Sequence, residues 1–118
     1  MGVRYRRIVL VDHATGAPLA TVPAQHDATV YAAFDHAGQR LPTTCRGSAI
    51  CGLCRVEVRD GAVAPATRDP DEQALLARVA PDEPHARLAC RIRPAAGEER
   101  LELEISGERW RRAEALRR

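Results

Sequence analysis

The chain has 118 residues, enough for one domain with a single modest core. Apolar residues make up 45%, which argues against disorder, and an aromatic share of 3% argues against a base-stacking platform for nucleic acid. Eighteen basic and 16 acidic residues leave a formal charge of +2, too balanced to imply a nucleic-acid partner, and no apolar run approaches the roughly 20 residues of a membrane span.

The basic start, Met1 to Arg7, leads into an apolar stretch that stops at Asp12, shorter than a secretory core. A cytoplasmic protein is expected, and in that compartment four cysteines point to metal or redox chemistry rather than to disulfides. Within Arg4–Val11 the run Ile8-Val9-Leu10-Val11 reads as a buried strand. A turn-rich segment over 12–18 joins it to a second strand, Leu19–Val22, as a hairpin. Thr29 is suited to cap a helix whose apolar face is Val30, Ala33, Phe34 and Ala37, with Gly38 at its end. Residues 40–54 lack periodicity and read as a loop.

Arg55–Arg59 alternates, and Asp60-Gly61 predicts a hairpin turn into a short return strand from Val63. Asp69-Pro70-Asp71-Glu72 has the form of a helix start, with a capping Asp, Pro in the first turn and Glu three residues on. Ala74, Leu75 and Val79 supply its apolar face. Leu88–Ile92 is a short apolar stretch around Cys90. Arg100–Ser106 alternates with Leu101, Leu103 and Ile105 inward. The predicted order is β-β-α-β-β-α-β, in one domain over residues 1–106. The remaining segment, 107–118, carries five Arg against two Glu and has helical character.

The cysteines follow the pattern Cys45-x5-Cys51-x2-Cys54-x35-Cys90. Three thiols within ten residues can wrap one face of a small cluster, and a distant fourth ties that loop to the fold. Two ferric ions need four thiolates, two for each iron. Gly47, Ser48, Ala49 and Gly52 are small enough for the backbone to turn tightly and aim N–H groups at the sulfurs. Structural zinc sites usually use two separated close pairs, whereas Cys90 stands alone. A thioredoxin-type pair at Cys51 and Cys54 would leave Cys45 and Cys90 unexplained. A Rieske centre needs two His ligands, and a [4Fe–4S] cluster favours C-x2-C-x2-C; neither pattern is present.

The string from Thr44 to Val58 resembles the cluster loop of the β-grasp [2Fe–2S] ferredoxins, and its five-residue first gap resembles the adrenodoxin-type branch. Arg87-Leu88-Ala89-Cys90 resembles that family's fourth-ligand strand. The ending Cys51-Gly52-Leu53-Cys54-Arg55-Val56-Glu57-Val58 is also similar to ferredoxin domains fused to corrinoid-protein activators and to some bacterial adenylate cyclases. The resemblance covers about residues 3–106. It implies an α+β fold with a mixed twisted sheet and a packed helix, and a [2Fe–2S] cofactor. It implies one-electron transfer between a ferredoxin reductase and an acceptor oxidoreductase such as a monooxygenase, with no catalysed bond-making step. The fused relatives imply a second role, a redox-sensing module. Leu53 and Arg55 depart from the branch, which tends to place Ser or Thr before the third cysteine and His after it.

Asp69, Asp71, Glu72, Asp82 and Glu83 form an acidic stretch. Helix capping accounts for Asp69 and Glu72, while the resemblance implies a docking face for a basic partner through Asp69, Asp71 and Glu72. His13, His26, His36 and His85 are expected to be solvated, and Trp110 to pack on the domain.

Overall fold

The computed structural model describes residues 6–24, 27–39, 41–43, 52–97 and 99–116. The first hairpin forms as expected. Strand β1, Arg7–Asp12, pairs antiparallel with β2, Pro18–Pro23, with Ile8 opposite Val22 and Leu10 opposite Ala20. Its turn is closed by Asp12 N–H donating to the Ala17 carbonyl (2.9 Å) and by Gly16 at φ +75°. Helix α1, Val30–His36, starts where the Thr29 side chain accepts from the Ala32 N–H (3.1 Å). It buries Val30, Tyr31, Ala33 and Phe34, while Ala37 lies outside on the surface.

Strand β3, Arg55–Asp60, is followed by β4, Val63–Ala64, helix α2, Pro70–Val79, and β5, Ala86–Leu88. Strands β6, Arg93–Pro94, and β7, Arg100–Ile105, lead to helix α3, Gly107–Leu116. The main sheet has the order β2-β1-β7-β3-β5. Strand β7 runs parallel to β1, with Ile8 beside Leu101 and Leu10 beside Leu103, and antiparallel to β3. The last strand of the chain thus sits at the centre of the sheet.

Two sequence expectations change here. Gly61 (φ +97°) does turn the chain, but β4 does not return along β3; it pairs with β6, Val63 opposite Pro94. The partners of β3 are instead β5 and β7, the latter with the apolar alternation of Leu101, Leu103 and Ile105. The inward face of α2 is Glu72, Leu75 and Leu76, not Ala74, Leu75 and Val79. Val79 is 40% exposed.

Ile8 and Leu10 of β1, Leu101, Leu103 and Ile105 of β7, and Leu88 of β5 build the core under Phe34 of α1. Trp110 of α3 is 4% exposed and meets the Phe34 ring edge-on, 6.3 Å between centroids at 77°.

Candidate metal centre

Cys54 and Cys90 lie at the same end of the antiparallel β3–β5 pair. Arg55 opens β3 and stands opposite Leu88, the last residue of β5. Cys54 therefore lies one residue before β3 and Cys90 two residues after β5. Cys90 is in a turn, not in the strand that the sequence suggested: the Arg91 N–H donates to the Leu88 carbonyl (2.9 Å) and ends the extended run.

That turn is held from two sides. The first N–H groups of a helix have no partner inside it, and those of α1 are spent here: Val30 donates to the Ile92 carbonyl (2.8 Å) and Tyr31 to the Ala89 carbonyl (2.9 Å). Arg91 reaches the Asp69 carboxylate at the start of α2 (2.7 Å). Asp69 also caps α2 by accepting from the Glu72 N–H (2.8 Å), and this bond chiefly holds its carboxyl below the usual range, with help from Arg91.

The strand leading to Cys90 is fixed by a buried ion pair. Arg87 donates twice to Glu72, at 2.8 and 3.2 Å, and the Leu88 N–H donates to the same carboxylate at 3.0 Å. Glu72 is 1% exposed, so the expected docking role of Asp69, Asp71 and Glu72 loses its third member. Its carboxylate points into the protein and does not reach back to complete a capping box. Nothing in the local sequence distinguishes this Glu from a cap, because its partner lies 15 residues away.

Cys54 is 2% exposed and Cys90 is half-buried. The neighbouring Cys90 thiol, followed by burial and the charge of Cys90, pushes the Cys54 thiol well above its ordinary range. The backbone N–H of Cys90 acts in the opposite sense, stabilising negative charge on the Cys54 sulfur, while that of Ala89 donates to the Cys54 carbonyl (3.3 Å). A thiolate at that position needs a nearby cation, and an amide donor already faces it. That is the environment an iron–sulfur group requires of its ligands. Cys45 and Cys51, together with Gly47, Ser48 and Ala49, lie outside the described residues, as does His26.

The backbone beside Cys54 is tied down by arginines. Arg55 donates to the Gly52 carbonyl (3.2 Å) and pairs with Glu83 (3.1 Å). Arg109 of α3 donates to the carbonyls of Leu53 (2.8 Å) and Arg55 (3.0 Å). A cavity of about 340 Å³ opens next to these groups, with His13, Glu57 and Glu104 on its far wall. His13 bonds to Glu104, which raises the His13 pKa above its ordinary value through the hydrogen bond first and the carboxylate charge second. His36 and His85 are exposed, as expected.

Comparison with known proteins identifies the family and the fold that carry this site. The family model of the 2Fe-2S iron-sulfur cluster binding domain matches residues 15–95. The chain belongs to that family. Its cofactor is a [2Fe–2S] cluster. Among solved structures, a ferredoxin from Rhodopseudomonas palustris HaA2 is 27% identical, covers 86% of this chain and 96% of its own, and superposes with a TM-score of 0.67. Trichomonas vaginalis ferredoxin is 26% identical, with 84% and 99% covered and a TM-score of 0.65. Reduced putidaredoxin from Pseudomonas putida, 20% identical with 88% and 99% covered, shares the fold at a TM-score of 0.66. No curated protein matches the chain. The mixed sheet wrapped on α1 is the expected α+β, β-grasp architecture of these ferredoxins. Among the described residues, no helix is long and apolar enough to cross a membrane.

Proposed function

We propose that this family member is a one-electron carrier whose cluster is held by Cys45, Cys51, Cys54 and Cys90. The observation that carries the reading is the meeting of Cys54 and Cys90. Residues far apart in sequence are brought together at one end of the β3–β5 pair, with the Ala89 N–H holding the Cys54 carbonyl (3.3 Å) and the Cys90 amide directed at the Cys54 sulfur. When bound, the cluster supplies an Fe(III)/Fe(II) couple that accepts and returns single electrons. The chain's own residues exclude water from Cys54, hold the Cys90 turn through α1 and Asp69, and keep the Cys54 segment in place through Arg55 and Arg109. The partners of such a carrier are a reductase that supplies the electron and an oxidoreductase that takes it. Docking through the acidic stretch rests on Asp71 and Asp82, both exposed, rather than on Glu72.

Anaerobically purified protein is expected to contain about two irons and two sulfides per chain and to accept one electron. Cys90→Ala should lose the cluster, and Asp71→Arg should slow reduction by a basic reductase at low ionic strength, an effect that salt reproduces in the parent protein. Stoichiometric zinc in a colourless protein would overturn the carrier reading. Full iron in Cys90→Ala would remove Cys90 from the ligand set, and unchanged reduction of Asp71→Arg would end the docking proposal.

A further inference from the structure

We propose that Arg109, on the C-terminal helix, is a positioning residue for the cluster and raises its reduction potential, by clamping the two carbonyls that flank Cys54 and holding a positive charge next to that residue. The inference rests on Cys54 being a ligand.

Helix α3 is seated firmly enough to aim this side chain. Trp110 is buried against Phe34, and its N–H donates to the Ser106 carbonyl (3.0 Å). Gly107, in the first turn, lies so close to β1 that a Cβ would fall 2.4 Å from Asp12 Oδ2. Successive helix residues are about 100° apart, so Arg109 leaves the edge of the face that Trp110 buries. It runs along the protein surface, half-buried, to the segment entering β3.

There its planar fork matches the backbone. Nη1 takes the Leu53 carbonyl at 2.8 Å and Nη2 the Arg55 carbonyl at 3.0 Å, so the guanidinium bridges the residue between them, Cys54. The Cys54 carbonyl accepts from the Ala89 N–H (3.3 Å) and the Gly52 carbonyl from Arg55 (3.2 Å). Four successive carbonyls, 52 to 55, therefore have assigned donors. In a planar trans peptide the carbonyl and the following N–H point in opposite directions. Holding the Leu53 carbonyl thus fixes where the Cys54 N–H points.

The charge argument is separate. Both Arg109 bonds end on neutral carbonyls, and the carboxylate that acts on its charge, Glu83, is itself paired with Arg55 (3.1 Å). Burial and the neighbouring Arg55 lower the Arg109 pKa from its ordinary value, while Glu83 and Cys54 hold it up. An arginine in that setting remains a cation. Adding one electron to the cluster adds one negative charge, and a fixed cation nearby favours the reduced form.

The test compares parent protein, Arg109→Lys and Arg109→Met. Iron, sulfide and the visible spectrum establish that each is loaded, and the emission maximum of Trp110, the sole tryptophan, establishes that α3 is seated. Dye-mediated redox titration then reads the midpoint. Arg109→Met is expected to weaken reduction about tenfold, a fall of about 59 mV. Arg109→Lys, which keeps the charge but cannot span two carbonyls, should recover most of that fall. If Arg109→Met unseats α3, Arg109→Gln takes its place. An unchanged midpoint in a loaded, seated charge-removed variant would overturn the proposal, and a Lys variant that falls as far as the Met one would overturn its charge half and assign the shift to the clamp. Parent protein without iron would instead overturn the ligand assignment of Cys54 on which the proposal stands.

Discussion

Glu72 joins the helix that caps the Cys90 turn to the strand that delivers Cys90. Its carboxylate takes two bonds from Arg87 and one from the Leu88 N–H, and Arg87 gives two further donors to the carbonyls of Pro65 (2.9 Å) and Thr67 (3.3 Å). A buried pair of this kind gains little over a well-packed apolar pair, but breaking it leaves a charge without a partner. Glu72→Ala is expected to cost about 3–5 kcal/mol in urea unfolding, and Glu72→Leu with Arg87→Leu to recover a large part of it. If Glu72→Ala cost no more than a surface substitution, the pair would not be the brace described. At this scale the [2Fe–2S] cofactor was legible in the number and spacing of the cysteines, because a cluster dictates how many thiolates it needs. Glu72 was not, because helix caps and buried partners use the same residue in the same place, and only the distant Arg87 decides between them.

Between elements, the contact that couples α2 to the cluster segment is Val79 on Gly52. Gly52 adopts φ +72°, and a Cβ there would stand 2.6 Å from Val79 Cγ2. Two costs are combined at that position, a left-handed backbone and a clash. Gly52→Ala is expected to lower stability by about 1–2 kcal/mol from the backbone alone, and by more while Val79 is present. Adding Val79→Ala should return only the clash, so thermal unfolding of the double variant should fall between the parent and Gly52→Ala. A double variant as stable as the parent would mean the backbone is not strained there. The same contact explains why the apolar face of α2 was misread. Periodicity selects Val79 as a core residue, yet it serves the loop, and the core position belongs to Glu72. The β1–β2 hairpin and the capped start of α1 were legible because their determinants are local. The pairing of β4 with β6 was not, because a two-residue strand carries no periodicity and its partner lies 30 residues downstream.

Across the whole molecule, the alternation of β7 was readable but its central place was not, since alternation says which face is buried and nothing about neighbours. The parallel register of β1 and β7 has a mechanical consequence. Arg7 stands beside Arg100 and Asp12 beside Ile105, so a pull applied at Arg7 and Ile105 enters the ladder at opposite ends. Every hydrogen bond between the strands is then loaded at once, in shear. A pull between Arg7 and Pro23, which face each other at one end of the hairpin, would open its bonds one at a time. Tethered by Arg7 and Ile105, the protein is expected to rupture at a distinctly higher force than when tethered by Arg7 and Pro23, and equal forces would place the resisting ladder elsewhere. A pull between Arg7 and Ile105 is borne by the β1–β7 ladder, so Cys54 and Cys90, fastened to β3 and β5 beyond it, feel tension only after β1 and β7 have parted.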